Sequence, residues 1–206
     1  MTLTNARRAS AGEGAPGLLA TGVATATIVS FLRVIAIVAV TQPVLLTLIA
    51  PALGAAVLAA TVYTALALYR LGDGKSAPSA PAEFSNPFGF WQVVGFAIFL
   101  GAVIVIGRAL GESFGLRGAL LAAVGVGLAD VDSITISMAR LVPQPLGVLG
   151  ASEAILAAVA SNMFAKLAIA AVIGRGRFAV ETAGFTAACW LAALAALWVT
   201  LTLGAG

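Results

Sequence analysis

Histidine is absent from this 206-residue sequence, and cysteine occurs once, at Cys189. These two gaps exclude imidazole-based catalysis, histidine metal sites, disulfide frameworks and thiolate clusters. Cys189 lies in an apolar run and reads as a lipid-facing or packed structural residue. Charge is scarce as well: 9% of the residues are charged, against about 25% in a soluble domain. Hydrophobic residues make up 61%. A chain so poor in charge cannot cover itself in water, and the composition predicts an all-α integral membrane protein. The net charge of +3 does not point to nucleic acid. The cations lie mostly at the ends of apolar segments, where they anchor a chain to the membrane interface.

What is present is a series of apolar segments, each near the roughly 20 residues that a helical span needs. Residues 1–16 form a polar tail with Arg7, Arg8, Gly12, Gly14 and Pro16. The run 17–40 that follows exceeds the roughly 7–15 residues of a signal-peptide core and reads as a retained first span. Thr41-Gln42-Pro43 closes it. The second segment, 44–69, has Pro51 in its first turns, which delays or kinks the helix. A polar loop, 71–87, separates it from a third segment, 88–110, in which Gly95, Gly101 and Gly107 offer small-residue contacts. The fourth segment, 116–141, is long enough for one tilted span with a polar middle, and Pro143 and Pro145 end it. The fifth, 152–173, and the sixth, 178–203, flank the basic turn Gly174-Arg175-Gly176-Arg177. The expectation is six transmembrane helices.

With the N-terminus inside, six crossings put Arg7, Arg8, Arg70, Lys75 and Arg140 inside but Arg175 and Arg177 outside, a weak bias. A re-entrant hairpin in the fourth segment would move the last pair inside. Its halves of about 12 residues could then only dip into the membrane, and the single span is the expectation kept.

The two halves of the chain resemble one another. Ala26-Thr-Ile-Val-Ser-Phe-Leu-Arg33 matches Ser133-Ile-Thr-Ile-Ser-Met-Ala-Arg140, and each is followed by Gln-Pro, at Gln42-Pro43 and Gln144-Pro145. Further on, the stretch from Ala59 to Leu68 matches that from Ala160 to Ile169. The chain therefore divides into the tail, 1–16, and two three-helix repeats, 17–110 and 116–203. Three spans per repeat is an odd number, so the second copy would be inverted, an architecture that places ion sites near the midplane.

The most informative stretch is Gly125-Val-Gly-Leu-Ala-Asp130-Val-Asp132-Ser133-Ile-Thr135-Ile-Ser137-Met-Ala-Arg140. A lone charge at a bilayer centre costs roughly 2.5–3.5 kcal/mol on insertion scales, so two acids in an apolar segment require a local reason. At 100° per residue Asp130, Ser133, Ser137 and Arg140 share a face, with Asp132 and Thr135 to another side. Either the helix is polar over a wide arc or it breaks near Gly125–Asp130, freeing backbone carbonyls beside the carboxylates. Asn162 and Lys166 are four residues apart, on one face of the fifth segment at similar depth, which makes an Asp–Lys pair geometrically reasonable.

These residues read as a cation or proton site. Asp130 and Asp132 are hard oxygen ligands for a metal ion or proton carriers, and Ser133, Thr135, Ser137 and Asn162 are neutral oxygen ligands. Lys166 is a competing cation or a charge partner. Arg33 divides evenly between carboxylate pairing and snorkelling to the interface, whereas Arg108 and Arg140 fit snorkelling better. The bland alternative is an Asp–Lys contact that only fixes helix packing. No enzyme is expected: a diaspartyl protease needs one acid on each of two helices, and here both lie on one.

Asn86-Pro87-Phe88, the Gly127–Arg140 motif and Ala160-Ser-Asn162-Met-Phe-Ala-Lys166 resemble the C-terminal membrane domain of MgtC/SapB-type bacterial proteins, a domain of unknown function (family four-thousand-ten). The resemblance covers residues 18–203, and Asp-Val-Asp-Ser-Ile-Thr is its specific part. In the family the fifth-segment motif often has threonine after the asparagine, where this chain has Met163. The resemblance implies a bacterial inner membrane and a link to magnesium or membrane energetics by association, and it transfers no activity.

The resulting expectation is a small-cation transporter, with or without proton coupling, whose partners are the lipid bilayer and the ion. No cofactor is expected beyond a bound cation. The alternatives are a non-transporting membrane partner of an ion pump and a small channel. Homo-oligomers are expected, since six short spans enclose little volume.

Overall fold

Proline and glycine punctuate this chain where helices start and turn. The computed structural model describes residues 1–71, 105, 116–128 and 130–203, all of the ordered elements being helices or tight turns. A short helix, α1 (Thr2–Ser10), precedes α2 (Pro16–Thr41), which begins with proline, a residue whose missing N–H costs nothing at that position. Gln42 leaves the helical conformation, a single 3-10 turn (Pro43–Leu45) reverses the chain, and α3 (Leu46–Leu71) runs back through Pro51. After α3 come a short apolar helix, α4 (Leu116–Gly127), and α5 (Val131–Arg140). Then α6 (Val148–Ile169) passes through a π turn (Ala170–Gly174) into α7 (Gly176–Leu203). Arg175 and Gly176 make that last reversal at positive φ, 48° and 53°, a conformation glycine adopts freely and arginine rarely.

The core is narrow and built from small side chains. On α2, Ala20, Val23, Ala24, Thr27, Phe31, Val34 and Val38 recur at helical spacing and are buried. On α3, Ala52, Ala56 and Ala60 form a small-residue seam four residues apart, which allows close helix approach. The Sγ of Cys189 on α7 lies 3.6 Å from the Ala56 carbonyl oxygen, so this cysteine is packed inside the bundle. α3 packs along both α2 and α7, and α5 packs between α2 and α6.

The outer faces decide the solvent. Leu32 on α2, Leu58 and Val62 on α3, and Leu191, Leu194 and Trp198 on α7 are exposed, where a soluble bundle would carry charge. Among the described residues four stretches are long and apolar enough to cross a membrane: Pro16–Thr41, Pro43–Arg70, Val148–Gly174 and Gly176–Leu203. The protein is a membrane protein. The third expected segment, 88–110, most of the polar loop, and Arg108 and Glu112 lie outside the described residues.

The fourth segment differs from expectation. It is two half-helices, and both open at the same end of the bundle. A Cβ built on Gly150, at the start of α6, would sit 3.0 Å from Leu116 Cδ1 at the head of α4 and 4.0 Å from Leu146 Cδ2 beyond α5. The tip lies deeper, with Gly127 against Ala158, about 12 Å further along α6 at 1.5 Å per residue. Gln42 Nε2 donates to the Val142 carbonyl at 3.3 Å, which ties the exit of α5 to the exit of α2. The described residues of the two halves span about 18 Å and 15 Å, against a hydrocarbon core of about 30 Å. Over the described residues the segment is a re-entrant hairpin rather than a single crossing, and the count of six is not confirmed, since four stretches among the described residues are long and apolar enough to cross.

The described residues do not confirm the inverted repeat. Gln42, which closes α2, and Val142, just beyond α5, meet at one end of the bundle. α3 and α6, which carry the second pair of matching stretches, both run away from that end. The similar stretches are therefore parallel.

Candidate functional site

The hairpin tip is assembled from the local chemistry of its sequence. At the end of α4 the last carbonyls have no helical partner. Ser161 Oγ on α6 donates to the Val124 carbonyl at 2.6 Å, and the Asp130 N–H donates to the Val126 carbonyl at 2.9 Å. Asp130 is extended (φ −148°) and caps α5: one carboxylate oxygen accepts from the Asp132 N–H at 3.0 Å, the other from Ser133 Oγ. Gly127 lets this tip touch α6. A Cβ there would fall 2.6 Å from both Cα and the carbonyl oxygen of Ala158.

The two acids thus have different surroundings. Both oxygens of Asp130 are held by its own turn, whereas Asp132 faces α2. Asp132 Oδ2 forms an ion pair with Arg33 Nη2, while Asp132 Oδ1 is buried and has no hydrogen-bond donor among the described residues. A buried carboxylate oxygen of this kind is costly unless a proton, a cation or water meets it. Arg33 is about 12 Å from the end of α2 at 1.5 Å per residue, too deep to read as an interfacial residue. Its pairing with Asp132 decides between the two expected roles.

Lys166 does not pair with either aspartate. Its Nζ donates to Thr27 Oγ1 of α2 at 3.4 Å, and Thr27 in turn donates to the Val23 carbonyl. Arg33 is the charged neighbour of Lys166. The expected Asp–Lys pair is replaced by two contacts from α2, Arg33 to α5 and Thr27 to α6. α2 presents both: its packing on α5 carries Arg33 to Asp132, and the Thr27 side chain reaches Lys166 on α6.

The neutral ligands are less well gathered. Ser133 is spent on Asp130; Thr135 is fully buried and donates to the Val131 carbonyl, and Ser137 donates to the Ser133 carbonyl. Each hydroxyl oxygen retains a lone pair for a cation. Asn162 is half-buried, one turn before Lys166. Among the described residues no three Asp, Glu, Cys or His side chains converge as a metal cluster. For Asp130 and Asp132 as metal ligands, hydroxyls, amides and backbone carbonyls would have to complete the shell. Thr27, Ser161 and Gly127 escaped sequence reasoning. Threonine, serine and glycine are common in membrane helices, and only their neighbours across the bundle single them out.

A family model described as a domain of unknown function, DUF4010, matches residues 1–174. The chain belongs to the DUF4010 family. The match runs from α1 through the π turn and includes Arg33, the hairpin and Lys166; α7 lies beyond it. An uncharacterized protein of Aquifex aeolicus (strain VF5) is 32% identical to this DUF4010 protein over 111 residues, 53% of this chain and 48% of the relative. The match thus spans about half of that relative's length. No solved structure matches.

Proposed function

We propose that this DUF4010 protein is a multi-pass protein of a bacterial cytoplasmic membrane that moves a small cation through the tip of its re-entrant hairpin. The observation that carries this reading is the buried Oδ1 of Asp132, without a donor among the described residues, beside two opposed helix ends. The carbonyl end of α4 and the capped start of α5 meet there, the arrangement by which interrupted helices form ion sites in transporters. Arg33 holds the other carboxylate oxygen and would compete with an entering ion. MgtC/SapB-type association, and with it any link to magnesium, rests on the resemblance alone.

Orientation follows from the arginines. Arg7, Arg8, Arg70, Arg175 and Arg177 lie at the end where α1 packs on the π turn; Arg117 and Arg140 lie at the hairpin mouth. The positive-inside bias assigns the first end to the cytoplasm.

Liposomes holding the purified protein provide the test, with Na⁺, K⁺, Li⁺, Mg²⁺, Ca²⁺ and H⁺ screened for flux. Flux of at least one cation is expected, reduced at least tenfold in Asp132→Asn while thermal unfolding shows the variant folded. Flux that survives Asp132→Asn, or no flux of any ion, refutes the reading. The latter result would favour a regulatory partner of a pump, and flux that never saturates would favour a channel.

A further inference from the structure

Two carboxylates, Asp130 and Asp132, and two cations, Arg33 and Lys166, meet where α2, α5 and α6 pack, and their formal charges cancel. We propose that the site binds a monovalent cation in exchange for the proton of Lys166, one for one. This inference rests on the cation-site reading above and specifies its substrate class and coupling.

The argument is one of charge balance in a low-dielectric interior. A cation entering a neutral cluster leaves it charged unless an equal charge departs, and uncompensated charge is expensive there. Arg33 cannot release a proton, because guanidinium stays charged in proteins. Lys166 can. Its hydrogen-bond acceptor is a neutral hydroxyl, Thr27 Oγ1, rather than a carboxylate. That oxygen already donates its own proton to the Val23 carbonyl. Loss of one Nζ proton to water on the side from which the cation enters removes a single positive charge. A monovalent ion restores neutrality, and a divalent ion leaves an excess.

Among the described residues the charged groups around Lys166 are few. α2 brings Arg33 to it, while on α5 Asp132 is engaged with Arg33 and Asp130 with its own turn. Those of the other helices packed on α6, namely Arg7 and Arg8 on α1, Arg70 on α3, and Arg177 and Glu181 on α7, lie towards the arginine-rich end. Reloading from the opposite side, with the proton returning to Nζ as the cation leaves, would make the cycle an electroneutral exchange.

The test is proton release by the purified full-length protein in weakly buffered detergent, read with a pH indicator beside calorimetric binding of NaCl, KCl, LiCl, MgCl₂ and CaCl₂ between pH 6 and 9. The expected result is about one proton released per monovalent cation bound, with no binding of Mg²⁺ or Ca²⁺. Lys166→Met should bind the monovalent ion with no proton released, and Lys166→Arg should not bind it. Binding without proton release in the wild type would mean that Arg33 swings aside instead, and overturns the exchange. Equal release from Lys166→Met, or binding of a divalent ion, overturns it as well. Binding that is absent, or indifferent to Asp132→Asn, refutes the site itself and so is distinguishable from a failure of the exchange alone.

Discussion

Asp132 and Arg33 show how one ion pair can be both a structural contact and an obstacle. Their side chains are 23% and 61% exposed, so the pair is partly desolvated rather than fully buried. Removing one member of a fully buried pair costs about 3–5 kcal/mol, because the other is left uncompensated. With the guanidinium this open, a smaller coupling of about 1–3 kcal/mol is expected. A double-mutant cycle of Arg33→Met and Asp132→Asn, followed by thermal unfolding in detergent, measures it. Each single variant should be less stable than additivity with the double variant allows; strictly additive effects would mean that the pair contributes nothing.

The hairpin is an element whose position depends on one missing methyl group. Gly127 meets the Ala158 backbone, and backbone cannot step aside as a flexible side chain can. Gly127→Ala is therefore expected to destabilise the protein by about 1–3 kcal/mol and to loosen the tip from α6. Gly125 sits two residues earlier on the same helix, and a Cβ there meets nothing within 4 Å. Gly125→Ala should leave stability unchanged or raise it by up to about 1 kcal/mol through helix propensity. Thermal unfolding of the two variants side by side distinguishes a tight crossing from a general intolerance of alanine in α4. Equal losses would contradict the contact.

At the scale of the whole molecule, the hairpin changes the topology. Leu71 ends α3 at the arginine-rich end, and Leu116 on α4 lies at the other, beside Gly150. Arg117→Cys and Gln144→Cys, which flank the hairpin, are predicted to react with a membrane-impermeant maleimide from the same side of sealed vesicles. Ser10→Cys, on α1, should react only from the opposite side. Cys189 is buried and should stay silent as background. Opposite sidedness for positions 117 and 144 would restore a single span. The same topology accounts for Arg175 and Arg177, whose apparent misplacement came from counting six crossings. With the hairpin returning to its own side, they join Arg7, Arg8 and Arg70 at one end.

The sequence by itself determined the class of solvent, the helical character of the chain and the place of its acidic stretch. These depend on composition and on residues near one another in the chain: apolar length for a span, proline for an end, and acids where lipid would reject them. It even contained the alternative of a break at Gly125–Asp130. Only the tertiary structure decided that the break is a hairpin, that Asp132 pairs with Arg33, and that Lys166 turns to Thr27. Apolar segments cut in half look much like apolar segments that cross, because both need hydrophobic residues on all sides. The distinction lies in which ends meet, and Gly150 beside both Leu116 and Leu146 is a contact between residues more than thirty positions apart at its wider reach. Pairing inside a membrane follows the same logic: a charge takes a compatible partner near it in space, and α2 brings Arg33 to Asp132 and Thr27 to Lys166.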